Sequence, residues 1–365
     1  MKIGVVTITD YSNFGNRLQA YAVCKALRRR LGCDVVSLEK PYREATLLSR
    51  VKESVAMMLC VFPALAEKCF GSNITRANNF RTWGRRHIPT RDFDRHQPLP
   101  DRLNDEFDLF LAGSDQIWNY DFSAGVFADY FLTFAEKGKR AAISASFGVE
   151  QIPEEWRKTY AQGLLGFRHI SVREDAGAKI VKDLTGRDVP VLIDPVMLLS
   201  REEWLTVAKK PRVDTSKPYV LKYFLGDEAE DERIEHWAKE QGYEIYELMN
   251  DQIPELYSAG PGEFLTLIDN AALVCSDSFH CIAFSILFRR PFAVYERRGS
   301  GNYMTSRLDT LLRKFGFEDR WKHGLAPQQY LNCDFSQVDS VLDAERQKAL
   351  AYLQEILRET EHPGS

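Results

Sequence analysis

The sequence predicts an α/β protein of two Rossmann-like domains facing each other across a cleft, with a helical insertion in the first. Three observations carry that expectation. The chain opens on a strand, a turn, a helix and a second strand; another series of the same kind begins near residue 218; and the length, 365 residues, suits roughly two domains. Consecutive β-α-β units imply parallel sheets with right-handed crossovers.

Each element follows from local chemistry. "KIGVVTIT" is a strand-length apolar run, "DYSNFGN" a turn, "RLQAYAVCKALRRRLG" a helix stopped by Gly32, and "CDVVSLE" the next strand. Further strands are expected at "FDLFLAG", "RAAISASFG", "HISVRE" and "VPVLID". After the proline-flanked stretch at 211–218 come the strand "PYVLKYFLG", the acid-started helix "DEAEDERIEHWAKEQ" with Gly242 as its stop, and the strand "YEIYELM". "AALVC" reads as a buried strand. Phe279, Ile282, Ala283, Ile286 and Leu287 then have the spacing of a helix face over 279–289, with Ser276 as the expected N-cap, and "RPFAVYE" is a last strand. The expected units are an N-terminal domain at 1–165, a C-terminal domain at 166–340, and a C-terminal helix and tail at 341–365. Residues 45–88 break the pattern. A helical insertion packed on its own domain is the expectation there. An interfacial helix pair lying on a lipid surface is the competing reading, disfavoured because charge and apolarity are poorly segregated.

Composition excludes several classes. Apolar and charged fractions of 44% and 27% are those of an ordinary globular chain, so whole-chain disorder is out. A net charge of −4 gives no bulk field for nucleic acid, and the short clusters at 28–30 and 85–86 suit solvated helix ends. Seven scattered cysteines form no C-x-x-C pair and no metal-ligand spacing with histidine, which suits a reducing compartment and predicts no metal. The first apolar run stops at Asp10, too soon for a signal peptide, and no stretch approaches the roughly 18 apolar residues of a membrane span. A cytoplasmic location is the expectation.

Open α/β sheets bind ligands beyond the carboxyl ends of their strands, so the loops leaving the predicted strands are the candidate site. In "TDYSNFGNR", Gly15 permits a tight turn, and Asn16 with the helix N–H groups suits an anion or a sugar hydroxyl. Neither a dinucleotide fingerprint nor a P-loop is present, and a plain turn accounts for the loop equally. In "LFLAGSDQIWN", Ser114 lets backbone approach a ligand, Asp115 and Gln116 offer hydroxyl partners, and Trp118 offers a stacking face for a sugar. Asp115 as a simple helix cap is the alternative. "HISVREDAGAKI" puts Arg173 just past a strand, where a guanidinium can clamp a carboxylate or phosphate, or else pair with Glu174 at the surface. "SDSFH" sets Asp277, Ser278, Phe279 and His280 at a helix start. There the helix N-terminus disfavours imidazolium while a bound polyanion favours it, so the ring can trade a proton near neutrality.

Taken in series, "DYSNFGNRLQAYA", "AGSDQIWN", "SASFG", "ISVRED", "LIDPVMLLSREEW", "YFLG", "SDSFH…FSILFRRPF" and "SRLDTLL" resemble the polysaccharide pyruvyl transferase family, in order from about residue 3 to about 315. Cys281 stands where relatives often have glycine, which alters local packing. The resemblance implies a GT-B-like pair of Rossmann-like domains, the N-terminal one on the acceptor side and the C-terminal one on the phosphoenolpyruvate side. It implies transfer of the pyruvyl group of phosphoenolpyruvate onto two sugar hydroxyls as a cyclic ketal, during surface-polysaccharide assembly. It also implies that Arg173 and His280 meet the donor, beside Phe279. Arg307 in "TSRLDTLL" is a candidate second clamp; Asp115 is the candidate base or acceptor-orienting group, with Asp277 as runner-up. No cofactor is implied beyond phosphoenolpyruvate as donor substrate. The acceptor is a sugar, free, in a glycan repeat or carried on a lipid. A lipid carrier would bring peripheral contact with the inner face of the cytoplasmic membrane. A nucleotide-sugar glycosyltransferase of the same architecture, and a non-catalytic scaffold in polysaccharide assembly, are the competing readings.

Overall fold

The computed structural model describes residues 1–10, 12–40, 71–123, 127–226, 232–297, 305–321 and 325–362. Strand β4 (Leu109–Asp115) is buried at every position, which only a sheet covered on both faces allows. It lies within a parallel sheet of β1 (Lys2–Val6), β2 (Asp34–Glu39), β3 (Thr90–Asp92), β4, β5 (Arg140–Ala145) and β6 (His169–Val172), in the order β3-β2-β1-β4-β5-β6. The second parallel sheet holds β7 (Tyr219–Tyr223), β8 (Glu244–Glu247), β9 (Leu273–Ser276) and β10 (Phe292–Val294), in the order β10-β9-β7-β8. The chain reverses its direction of travel between β1 and β4 in the first sheet and between β7 and β9 in the second. These are the switch points where doubly wound sheets open a crevice. The protein is therefore a pair of Rossmann-like domains, as expected.

Several expected details are corrected. The first domain does not end at 165: β6 pairs with β5, and Val172 bridges Val191, so Arg173 leaves the N-terminal sheet rather than the C-terminal one. "VPVLID" is not a strand; beyond the bridge at Val191, Asp194 caps a short 3₁₀ turn, Pro195–Leu198, by accepting the Val196 N–H. β3 was not expected, because Thr-Arg-Asp at a sheet edge has no apolar run to announce it. Ser276 is not the N-cap. It ends β9, where its hydroxyl bonds the Tyr223 carbonyl and accepts the Ser278 N–H, and Ser278 holds the cap position.

The two domains share one apolar interior. Helix α1 (Phe14–Leu31) carries Phe14 against Phe264 of α3 (Pro261–Asn270), the rings stacked at 4.3 Å, and Ile3, Leu18, Leu221, Phe264 and Phe284 belong to one core. Gly32, at φ 67°, ends α1 in the left-handed conformation that glycine adopts without a Cβ penalty. Of the expected insertion, 45–70 falls outside the described residues. Its remainder, α2 (Ser72–His87), does not pack on its own domain alone. Arg76 donates to the carbonyls of Ser12 and Tyr257, Asn79 to that of Ser258, and Trp83 to that of Val207, so α2 ties both domains together. Helix α6 (Val338–Glu361) also crosses back, Tyr352 donating to the Ala142 carbonyl. Among the described residues no helix is long and apolar enough to cross a membrane.

Candidate active site

The carboxyl ends of β1, β4 and β6 meet the start of α4 (Phe279–Phe288) at the joint between the two sheets. At the end of β4, Asp115 takes φ 66°, a left-handed conformation that aspartate tolerates at a cost, and strained positions of this kind gather at functional sites. Its carboxylate accepts Asn16 Nδ2 at 3.1 Å and lies 3.7 Å from Arg173 Nη2. Asn16 is anchored in turn, its N–H bonding the Asn13 N-cap and its Oδ1 accepting the Asp10 N–H.

Arg173, His280 and Asp194 form the centre. Arg173 Nη1 donates to Asp194 Oδ2 at 2.5 Å, and His280 Nε2 stands 3.4 Å from that guanidinium and 3.5 Å from Asp194 Oδ2. Asp194 also accepts Ser114 Oγ at 2.7 Å. The other ring nitrogen lies over α1: a Cβ on Gly15 would fall 2.0 Å from His280 Nδ1. Gly15 is thus explained by close approach rather than by the tight turn expected of it. Burial opposes the Asp194 charge, yet His280, Arg173 and the Val196 N–H outweigh it and hold the carboxyl far below the usual range. Burial likewise opposes the charge of Asp115, and His280, Arg173 and Arg307 overcome it. Arg173 is raised: burial works against its charge, but Asp194, Asp115 and Glu174 prevail.

Arg307 has the opposite environment. It sits in α5 (Thr305–Phe315), buried, and burial followed by repulsion from Arg173 and Arg297 pushes its guanidinium down to about 9. Among the described residues no carboxylate lies within ion-pair distance of it. The Phe279 ring lies between the two cations, 4.2 Å from the Arg173 guanidinium carbon and 6.0 Å from that of Arg307. Arg173 Nε and Nη2 and Arg307 Nε are buried donors without a hydrogen-bond partner among the described residues. Buried donors of that kind carry a desolvation cost that a bound anion would relieve. The arrangement can grip a small polyanion beside an imidazole.

Other expected residues take different places. Trp118 cannot stack on a sugar: it is fully buried among Phe131, Phe147 and Phe167. Ser114 is buried and directed to Asp194 rather than left open for a ligand's approach. Gln116 bonds Asn119 through its amide oxygen. Asp277 is occupied as well, accepting the N–H groups of Leu225 and Gly226 and pairing with Arg297, so it shapes the neighbouring loop instead of serving as a base. Glu174 forms no surface pair with Arg173; it is buried and accepts Ser146 Oγ and the N–H groups of Phe147 and Gly148. Asp194 is the residue that sequence reasoning missed. Its signal is an aspartate directly before proline after an apolar run, the pattern of a capping side chain. Among the described residues no group of three or more His, Cys, Asp or Glu side chains could hold a metal ion.

The family model described as polysaccharide pyruvyl transferase matches residues 13–298. No curated protein matches the chain. Among solved structures, the chain is similar to UDP-GlcNAc 2-epimerase from Neisseria meningitidis bound to UDP-GlcNAc, at 12% identity and TM-score 0.47, covering 99% of each chain. It is also similar to a putative UDP-N-acetylglucosamine 2-epimerase from Listeria monocytogenes, at 10% identity and TM-score 0.48, covering 100% of this chain and 98% of that one. A third similar structure is HepE of Anabaena in complex with UDP, at 12% identity and TM-score 0.46, covering 99% of this chain and 100% of that one.

Proposed function

The chain belongs to the polysaccharide pyruvyl transferase family, and on that premise we propose that it moves the pyruvyl group of phosphoenolpyruvate onto two hydroxyls of one sugar, as a cyclic ketal of a surface polysaccharide. The observation that carries the donor assignment is the pair of guanidiniums about Phe279: among the described residues three of their N–H groups are buried without partners and one cation lacks a carboxylate, and an imidazole adjoins. Phosphoenolpyruvate carries a carboxylate and a phosphate on three carbons, and bidentate guanidinium contacts suit both.

In this scheme Arg173 and Arg307 hold the two anionic groups. His280 is the proton carrier, its Nε2 3.5 Å from Asp194 Oδ2 and beside the bound anion. Protonation of the methylene carbon makes a methyl group and leaves the adjacent carbon oxocarbenium-like, and one sugar hydroxyl attacks it. Phosphate departs, and the second hydroxyl closes the ring. Of the two hydroxyl protons displaced, one is balanced by the new methyl group and the other by the released phosphate. Asp115, held ionised, is too weak a base to pull a proton far but is well suited to accept a hydrogen bond from the attacking hydroxyl. An acceptor carried on a lipid would bring the protein to the inner face of a cytoplasmic membrane.

Incubation of the purified protein with phosphoenolpyruvate and a panel of model and lipid-linked glycosides tests the reading. Release of phosphate together with a ketal detected by mass spectrometry is expected. Sugar transfer from a nucleotide sugar, with no ketal on any acceptor, would overturn it.

A further inference from the structure

A cavity of about 190 Å3 opens at the carboxyl ends of β1 and β2, lined by Thr7, Ile8, Thr9, Lys40, Asp129 and Tyr130 among others. Hydrogen bonds tie its wall to the candidate active site. Thr7 Oγ1 donates to the Ser114 carbonyl at 3.1 Å, one residue before Asp115. Arg17 joins the Ile8 carbonyl to Asn16 Oδ1, and the Asn16 amide donates to Asp115. Thr7 and Ile8 therefore serve the cavity on one side and Asp115 on the other.

The lining selects a ligand class. Three charged residues line the cavity, Lys40, Asp129 and Arg95; Lys40 and Asp129 pair with each other and Asp129 Oδ1 also accepts the Leu99 N–H at 3.0 Å, so the lining offers hydroxyls both cationic donors and a carboxylate acceptor. Hydroxyls of Thr9 and Tyr130 alternate with the apolar side chains of Ile8, Leu38 and Leu99. That mixture fits a sugar ring, which has hydroxyls at its edge and C–H groups on its faces. The Tyr130 hydroxyl has no hydrogen-bond partner among the described residues. Burial, then Asp129 and Asp115, raise its pKa, so it stays a donor at any ordinary pH. The cavity is smaller than the roughly 300–1,000 Å3 of sites for drug-sized ligands, a size that suits a single sugar ring.

We infer that this cavity is the acceptor subsite and takes one pyranose, whose hydroxyls meet Lys40, Asp129 and Tyr130 while its reacting pair lies toward Asp115. The inference rests on the pyruvyl-transfer reading, and the test separates the two. Saturation-transfer NMR with methyl glycosides of glucose, galactose, mannose and N-acetylglucosamine is recorded on wild-type protein, Tyr130→Phe and the cavity-filling Thr9→Phe. Thermal shifts with phosphoenolpyruvate are measured in parallel. At least one glycoside binds wild type, about two- to tenfold more weakly in Tyr130→Phe, as loss of one neutral hydrogen bond implies, and undetectably in Thr9→Phe. Both variants keep the wild-type response to phosphoenolpyruvate, which shows that the neighbouring site is folded. Glycoside binding indifferent to both substitutions, or absent from wild type, overturns the subsite. A missing phosphoenolpyruvate response in wild type counts against the donor instead, and the glycoside signals still decide the cavity.

Discussion

On the N-terminal side of the joint the charged groups are Asp115, Glu174 and Asp194 around one guanidinium, Arg173; on the C-terminal side Arg297 pairs with Asp277, and Arg307 and His280 stand beside them. Each side alone is out of balance, in opposite senses. Arg173 is held by two carboxylates and charged more firmly than a free arginine, whereas burial and its cationic neighbours push Arg307 down to about 9. The difference separates two roles that look alike in sequence. Arg173 and Asp194 hold the site together, and Arg307 leaves it short of one anion. A bound ligand therefore completes the charge pairing that docking of the domains begins.

The largest effect should come from the residue that joins the two sides. His280→Ala should lower the rate of phosphate release by about 10²–10⁴-fold, the usual range for a lost proton-transfer group, with the circular dichroism spectrum unchanged. A variant within about threefold of wild type would reduce His280 to packing. Asp194→Asn breaks the N-terminal side. It leaves Arg173 buried beside a neutral amide and should cost about 3–5 kcal/mol in urea unfolding at pH 7. The sign with pH follows from the depressed carboxyl of Asp194. Its contribution is complete above the unfolded value of about 4 and fades as pH falls toward the folded one, so the gap between wild type and variant should narrow below about pH 4. Gly15→Ala probes the contact between the sides. The added methyl would meet His280 Nδ1 at 2.0 Å and displace the ring, costing on the order of a hundredfold in rate, whereas Gly84→Ala, whose nearest neighbour is Arg17 Cδ at 3.9 Å, should be silent.

What was legible in the sequence follows the same division. Strands such as β1, β4, β7 and β9 are continuous apolar runs, and the loops leaving them could be named before any coordinates existed. Arg173 was visible because it directly follows β6, and His280 because it opens the helix after β9. Asp194 was not, since the run before it makes a single bridge and the aspartate acts only through contacts with Ser114, Arg173 and His280 from three other segments. Trp118 misled for a related reason. An indole beside polar residues resembles a sugar platform until Phe131, Phe147 and Phe167 close over it from distant parts of the chain. The domain boundary was misplaced because the helix–strand spacing into β6 is no different from that of a new domain; only pairing with β5 assigns it.

The contrast between the two arginines is measured most directly by titrating phosphoenolpyruvate calorimetrically into wild type and Arg307→Met, with the melting temperature of each ligand-free protein recorded. Removing a buried cation that has no carboxylate partner among the described residues should leave the ligand-free protein at least as stable as wild type, while affinity for phosphoenolpyruvate falls by about tenfold or more. An Arg307→Met protein that melts lower yet binds phosphoenolpyruvate as wild type does would contradict the account.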